Sequence, residues 1–139
     1  MLRLFVDANT LISGLLFSGN ESQLFDYARL GLCELLTVEH VRAEVRRILR
    51  EPRLSMTPQE RGRALRILSR HVTVLEDPSV EKLRGSRGRV RDTHDLPVVI
   101  GFEESGCDYL VTGDRDLLGQ MQRVISTKRA LTLFRQNLG

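Results

Sequence analysis

The sequence predicts a three-layer α/β/α fold around a mainly parallel sheet of about five strands. Three observations carry that expectation. Short apolar runs rich in β-branched residues alternate along the chain with longer stretches whose apolar residues recur every three or four positions. The first such run, Leu2-Arg3-Leu4-Phe5-Val6, passes into a helical pattern through a turn of two or three residues, the opening of an α/β unit. Polar and acidic residues follow these runs directly, so Asp7 ends the first strand at the edge where open parallel sheets place their ligands.

Taken in order, Asn9 or Thr10 is placed to cap a first helix with the apolar face Leu11, Ile12, Leu15 and Leu16. A second helix is expected over 21–31, with Leu24, Phe25, Ala28 and Leu30 inward and Gly31 as its stop. Cys33-Glu34-Leu35-Leu36-Thr37 reads as the second strand. Residues 38–51 form a basic amphipathic helix with the stripe Val38, Val41, Val45, Ile48 and Leu49, closed by Pro52. Thr57-Pro58-Gln59-Glu60 is a capping box with proline at the first helical position; its helix reaches about Arg70 and buries Ala64, Leu65, Ile67 and Leu68. Val72-Thr73-Val74-Leu75 is the third strand. Residues 76–93 read as one long irregular segment. Asp95 is expected to cap a helix through Val98, Val99 and Phe102, stopped by Gly106. Tyr109-Leu110-Val111-Thr112 is the fourth strand, a short helix holds Leu117, Leu118 and Met121, and Arg123-Val124-Ile125-Ser126 is the fifth strand. Thr127 is placed to cap the last helix, with Ala130, Leu131, Leu133 and Phe134 on its apolar side.

A chain of 139 residues with one such pattern, no internal repeat and no linker reads as a single domain over 1–139. It is 41% hydrophobic and 28% charged, in the range of soluble globular proteins. No signal peptide and no run of about 18 apolar residues is visible, so a cytoplasmic location without membrane contact is expected. Twenty-one basic against 18 acidic residues give a net charge of +3, which permits a nucleic-acid partner without demanding one. Cys33 and Cys107 read as small buried hydrophobes, and no Cys/His spacing suggests zinc.

The acidic residues are distinctive for where they fall. Asp7 ends the first strand, Asp95 begins a helix, and Asp114 and Asp116 follow the fourth strand; a parallel sheet brings all these places to one edge. Glu44 borders the apolar stripe of the basic helix. Carboxylates gathered at one edge repel one another and titrate high unless a cation is present. Such hard oxygen donors suit Mg²⁺ or Mn²⁺, the ions of phosphodiester hydrolysis. Plainer roles are open to each residue: Asp7 and Asp95 as helix caps, Glu44 as a partner of Arg42 or Arg47, Asp114 as a turn former, Asp116 as a charge at a helix start, and Asp92 in place of Asp95. His94 reads as a surface residue or a proton carrier beside Asp95.

These stretches resemble the PIN-domain ribonucleases, in particular the VapC-like branch of toxin components of type II toxin–antitoxin systems. The resemblance covers essentially the whole chain. It rests on Val6-Asp7-Ala8-Asn9-Thr10, on Glu44 within Val41-Arg42-Ala43-Glu44-Val45, on Asp95, and most specifically on Tyr109-Leu110-Val111-Thr112-Gly113-Asp114-Arg115-Asp116-Leu117-Leu118. That branch carries a denser acidic run before the penultimate long helix; here it is Arg91-Asp92-Thr93-His94-Asp95, where helix register favours Asp95. The resemblance implies a PIN-like (Rossmann-like) fold and an endoribonuclease that cleaves single-stranded RNA with carboxylate-bound Mg²⁺ or Mn²⁺ and an activated water, leaving 5′-phosphate and 3′-hydroxyl ends. It makes Asp7, Glu44, Asp95 and Asp114 the catalytic, metal-binding acids, with Asn9, Thr10, Thr112 and Asp116 in support. It also implies a small antitoxin partner and self-association. Basic residues must offset the acidic pocket's repulsion of a phosphate backbone. Candidates for RNA binding are Arg46 and Arg47, with Arg42 and Arg50, on the basic helix, and Arg87, Arg89 and Arg91, with Arg84, in the irregular segment. A housekeeping RNA-processing nuclease and a non-catalytic domain that binds RNA or an antitoxin are the alternatives.

Overall fold

In the computed structural model, which describes residues 1–138, β1 (Leu2–Val6) lies at the centre of one parallel sheet. On one side it is followed by β2 (Cys33–Val38) and then β3 (Val72–Leu75); on the other by β4 (Tyr109–Val111) and then β5 (Val124–Ile125). All four pairings are parallel, with Phe5 opposite Leu36 and Val6 opposite Val111. The chain winds outward from β1 to β3, then returns to lay β4 against the other side of β1. The winding direction therefore reverses at the β1–β4 junction, the switch point where such sheets open a crevice.

Helices fill both faces. Leu4, Phe5 and Val6 are all buried, the continuous apolar run that a strand covered on both sides requires. On one face α2 (Asn20–Arg29) lies over Cys33, whose thiol meets the Leu24 carbonyl, and packs with α1 (Ala8–Leu16) and the last helix, α8 (Thr127–Leu138). On the opposite face, that of Phe5 and Val38, lies α6 (Leu96–Ser105), with Phe102 edge-on to the Phe5 ring. The connection from β2 to β3 is a helical pair, α3 (Glu39–Leu49) and α4 (Pro58–His71), which packs on α1. The capping box expected at Thr57 is formed, with reciprocal bonds between Thr57 and Glu60. A short α7 (Arg115–Gln120) follows β4. Both cysteines are buried and free, and burial pushes the Cys33 thiol up to about 12.

Four local expectations are corrected. Asp7, not Asn9 or Thr10, caps α1, because the helix begins one residue after the strand ends. Residues 76–93 are not wholly irregular: Ser79 caps a short α5 (Val80–Gly85), the sixth of eight α-helices in the described residues being the one that follows it. Ser126 rather than Thr127 caps α8, its hydroxyl accepting from the Arg129 N–H at 3.1 Å. Leu30 is two-thirds exposed, since α2 ends at Arg29 before that position can turn inward.

Glycine has opposite meanings on the two helical layers. A Cβ on Gly101 of α6 would stand 2.9 Å from Val38 Cγ1 and 3.2 Å from the Phe5 ring, so the helix sits on the sheet only because that atom is missing. A Cβ on Gly62 of α4 would meet nothing nearer than a guanidinium nitrogen of Arg66 at 3.4 Å. Gly101→Ala should lose about 1–3 kcal/mol through overpacking, whereas Gly62→Ala should gain about 0.5–1 kcal/mol from helix propensity. Urea midpoints of the two variants measure both; a Gly101→Ala protein as stable as the parent would contradict the seating of α6.

Candidate active site

Asp7 stands where β1 stops and α1 begins, and its carboxylate is held from two sides. Oδ1 accepts from the backbone N–H of Thr10 at 2.9 Å, while Oδ2 accepts from the hydroxyl of Thr112, the residue just past β4. The Thr112 side chain is buried, and its oxygen also accepts from the Asp114 backbone N–H at 3.0 Å. One hydroxyl thus links the first and fourth strand ends across the switch point. Beneath it, the buried Thr37 hydroxyl donates to the Val6 carbonyl at 2.8 Å, tying β2 to the last residue before Asp7.

Asp114 caps α7, its Oδ1 accepting from the Asp116 N–H at 2.9 Å. Asp116 is exposed and faces Arg91 at 3.6 Å. Asp95 is positioned differently from the expectation. Asp92 caps the single 3₁₀ turn Thr93–Asp95, accepting from the His94 N–H at 2.9 Å, and α6 continues from that turn with Pro97 in its first turn. The side chain of Asp95 therefore makes no capping bond. Burial pushes its carboxyl up to about 6, and the charges of Asp114, Asp92, Asp7 and Asp116 push the same way. Those neighbours show that the acids after β1, before α6 and after β4 share one electrostatic neighbourhood.

Glu44 is not among the charges acting on Asp95. It lies half-buried on α3, its carboxylate 3.9 Å from Arg47. Among the described residues no three His, Cys, Asp or Glu side chains form a ready-made metal shell. Thr10 is buried at the start of α1, and Asn9 beside it is exposed. Of the basic candidates, Arg46, Arg50, Arg84 and Arg87 are exposed. Arg42 pairs with Glu39, Arg47 also reaches Glu51 at 3.7 Å, and Arg89 grips Glu103 of α6 through both guanidinium arms. With Val90 buried beside it, that grip fixes residues 89–91 along α6 and delivers Arg91 to Asp116.

Two positioning residues escaped the sequence reading. Thr37 lies in the middle of an apolar run, and only its pairing with β1 reveals its bond. Asp77 supplies the cap that α3 lacks locally: Val38 precedes the helix, and the His40 N–H is taken by Asp77 Oδ1 at 2.7 Å from beyond β3. No local pattern connects residues so far apart.

The family model described as "PIN domain" matches residues 3–116, most of the chain and every acid named above. The chain belongs to the PIN domain family. As a family, PIN domains are nucleases. Among solved structures, the fold is similar to PAE2754 from Pyrobaculum aerophilum, with TM-score 0.74 and 24% identity over 97% of this chain and 90% of that one. It is also similar to a chain of VapBC2 from Rickettsia felis bound to a DNA fragment from their promoter, with TM-score 0.65 and 12% identity over 90% of this chain and 98% of that one. Among curated proteins none matches the sequence. No described helix is long and apolar enough to cross a membrane.

The donor set of this PIN domain fits a hard divalent ion. Asp7, Asp95 and Asp114 offer oxygen only, and Mg²⁺ commonly takes one or two carboxylates and completes its shell with water and phosphate rather than a full protein cage. A small set of protein carboxylates is compatible with that ion, and the raised titration of Asp95 marks a place short of positive charge.

The stability of the metal-free protein should report this. Asp95 titrates near 6 in the folded chain against an ordinary 3.8, so the folded state holds its proton more tightly. The resulting stabilisation is full below pH 3.8 and is lost as pH rises through about 6. Asp95 is half-buried, so after allowance for solvent screening the effect is about 1 kcal/mol. In EDTA, Asp95→Asn should melt about 3 °C above the parent at pH 7.5 and close to it at pH 4.5. An equal offset at both pH values would show that Asp95 does not carry the strain.

Proposed function

We propose that this PIN domain, spanning the chain as a single nuclease domain, is a metal-dependent endoribonuclease acting on single-stranded RNA in the cytoplasm, the toxin of a toxin–antitoxin pair. The observation that carries the reading is the switch-point site itself. Asp7 is oriented by Thr112, Asp114 is anchored through the same hydroxyl, and Asp95 is left uncapped and electrostatically strained beside them. Among the described residues no lysine or arginine forms an ion pair with Asp7, Asp95 or Asp114, and Arg91 pairs with Asp116 at the rim. The fold shared with a chain of the VapBC2 assembly supports a partnered toxin role.

In this reading Asp7, Asp95 and Asp114 hold Mg²⁺ or Mn²⁺, and Glu44 joins them directly or through water. When bound, such an ion polarises a phosphoryl oxygen and lowers the pKa of water, the two contributions phosphodiester hydrolysis needs. The chain's own residues do the placing. Thr112 and the Thr10 N–H fix the Asp7 carboxylate, so that it need not reorganise when charge develops nearby. Asn9, exposed beside Asp7, is free to donate to a phosphate or base. Arg46, Arg47, Arg87, Arg89 and Arg91 supply the cationic surroundings that draw a phosphate backbone toward an otherwise acidic pocket. Arg91 is the best placed, because its contact with Asp116 lies at the rim of the acids. A cognate antitoxin protein and self-association complete the proposal.

The test is cleavage of mixed-sequence single-stranded RNA by the purified chain with Mg²⁺, Mn²⁺ or EDTA. Cutting that needs the ion, leaves 3′-hydroxyl ends and drops by about 10²-fold or more in Asp7→Asn and Asp114→Asn is expected, the loss of several kcal/mol of charge stabilisation. Activity that persists in both variants or in EDTA would sink the site. Thr112→Val keeps every carboxylate and removes only the orienting hydroxyl. It should weaken Mn²⁺ binding, followed by calorimetry, by about 10–100-fold, and unchanged affinity would show that Asp7 needs no such support.

A further inference from the structure

The segment between α5 and α6 runs back along α6 and delivers Asp95 to the start of that helix. Its ties to α6 are largely ionic. Arg89 donates to both carboxylate oxygens of Glu103, Nη1 to Oε2 at 2.8 Å, and Lys82 reaches Glu104 at 3.6 Å. Val90, the next residue, is buried, so the chain is held there by charge and by packing at once. Arg91 meets Asp116 at 3.6 Å, but those two side chains are 77% and 53% exposed against 45% and 35% for Arg89 and Glu103. The Arg89–Glu103 clasp is the firmer tie. Glu103 stands eight positions after Asp95, about 12 Å along the helix. The clasp therefore closes residues 89–103 into a loop with Asp95 inside it.

The turn that carries Asp95 has few other anchors. Asp95 makes no capping bond. The turn is held by the His94 N–H on Asp92 Oδ1 at 2.9 Å and by the Asp95 N–H on the Asp92 carbonyl at 3.0 Å. Both bonds go to Asp92, so the turn stands where Asp92 stands, and Asp92 is exposed. Its place is set by the residues just before it, which the clasp secures. We propose that Arg89 and Glu103 are positioning residues for Asp95: their contact holds the turn from Asp92 to Asp95, and through it the Asp95 carboxylate, at the acidic edge. This role rests on the reading of Asp7, Asp95 and Asp114 as ion ligands. A two-armed guanidinium–carboxylate contact fixes orientation as well as distance. An exposed pair adds little to the stability of a whole fold, so the effect is local. The charges that act most on Asp95 are those of Asp114, Asp92, Asp7 and Asp116, and neither clasp residue is among them, so the clasp works by placement and not by its field. It also gives Arg89 a task in the absence of RNA.

The experiment follows Mn²⁺ binding to the full chain by calorimetry without RNA, and amide hydrogen exchange in EDTA. The variants are Arg89→Gln, Glu103→Gln, the two combined, and the reversed pair Arg89→Glu/Glu103→Arg. By its field alone, loss of a cation would tighten Mn²⁺ binding. The clasp demands the opposite. Arg89→Gln and Glu103→Gln should each weaken binding about three- to fivefold, the scale an exposed two-armed pair can transmit. The combined variant should weaken it no further, and the reversed pair should recover most of the affinity. In EDTA the amides of residues 92–96 should exchange faster in both single variants, while those of Phe5 and Leu110 in the sheet keep the parent's rates. Thermal melts check folding, and Glu103→Gln decides the matter if Arg89→Gln does not fold. Mn²⁺ affinity that is unchanged or tighter in Arg89→Gln, losses that sum in the combined variant, or unchanged exchange at residues 92–96 would overturn the role of the clasp. A parent chain that binds no Mn²⁺ would instead sink the ion reading, and exchange alone would then decide whether the clasp holds the turn.

Discussion

A single buried hydroxyl, that of Thr112, sets the geometry of the acidic edge. It donates to Asp7 and accepts from the Asp114 backbone, so both of its hydrogen-bonding capacities are used and both carboxylate-bearing turns are fixed to one point. The arrangement depends on register. Val6 lies opposite Val111, which brings the next residues of β1 and β4, Asp7 and Thr112, side by side as the strands end. A slip of one residue would turn Thr112 to the other face of the sheet and leave Asp7 with only its local bond from the Thr10 N–H. The register is itself protected by the core, because Leu110 and Val111 are wholly buried against a strand that is buried on both faces. Packing of the sheet thus becomes placement of a carboxylate.

The acids divide the work of ending and starting helices unequally. Asp7 caps α1, Asp92 caps the turn before α6, and Asp114 caps α7. Each of those carboxylates accepts a hydrogen bond from a backbone N–H at a helix start. Asp95 is released from the duty by Asp92, three residues earlier, and gains nothing from the backbone to offset burial and the charges around it. In the proposed function this is the position where a bound cation would relieve the repulsion.

Much of this was legible in the sequence because the relevant signals are local. The strand Val72–Leu75 and the box at Thr57 are patterns of a few residues, and both occur in the structure as read. The parallel sheet followed from alternation, and the carboxyl-edge rule then brought Asp7, Asp95 and Asp114 to one region without any knowledge of strand order. What the sequence concealed is what depends on distant partners. Asp77 closes the start of α3 from beyond β3, Thr37 holds the end of β1 from β2, and Arg89 reaches Glu103 to pin a segment whose Gly-Ser-Arg texture reads as free. The exchange of capping between Asp92 and Asp95 was hidden for another reason: either residue can begin a helix, and a single 3₁₀ turn decides between them.

Helix α3 shows why a count of charges is a poor guide to what a surface does. Its arginines look equivalent in the sequence, four cations on an amphipathic helix in a chain of net charge +3. In three dimensions they separate. Arg42 and Arg47 are matched by glutamates three or four positions away, the spacing that stabilises an exposed helix by a few tenths of a kcal/mol, about 0.2–0.5 per pair. Arg46 and Arg50 occupy the same spacing with the same sign and stand over apolar side chains instead of water alone. Their place on α3 accounts for the sign: Arg46 lies in its last turn and Arg50 at its C-cap, where the helix dipole favours cations and a glutamate would oppose it.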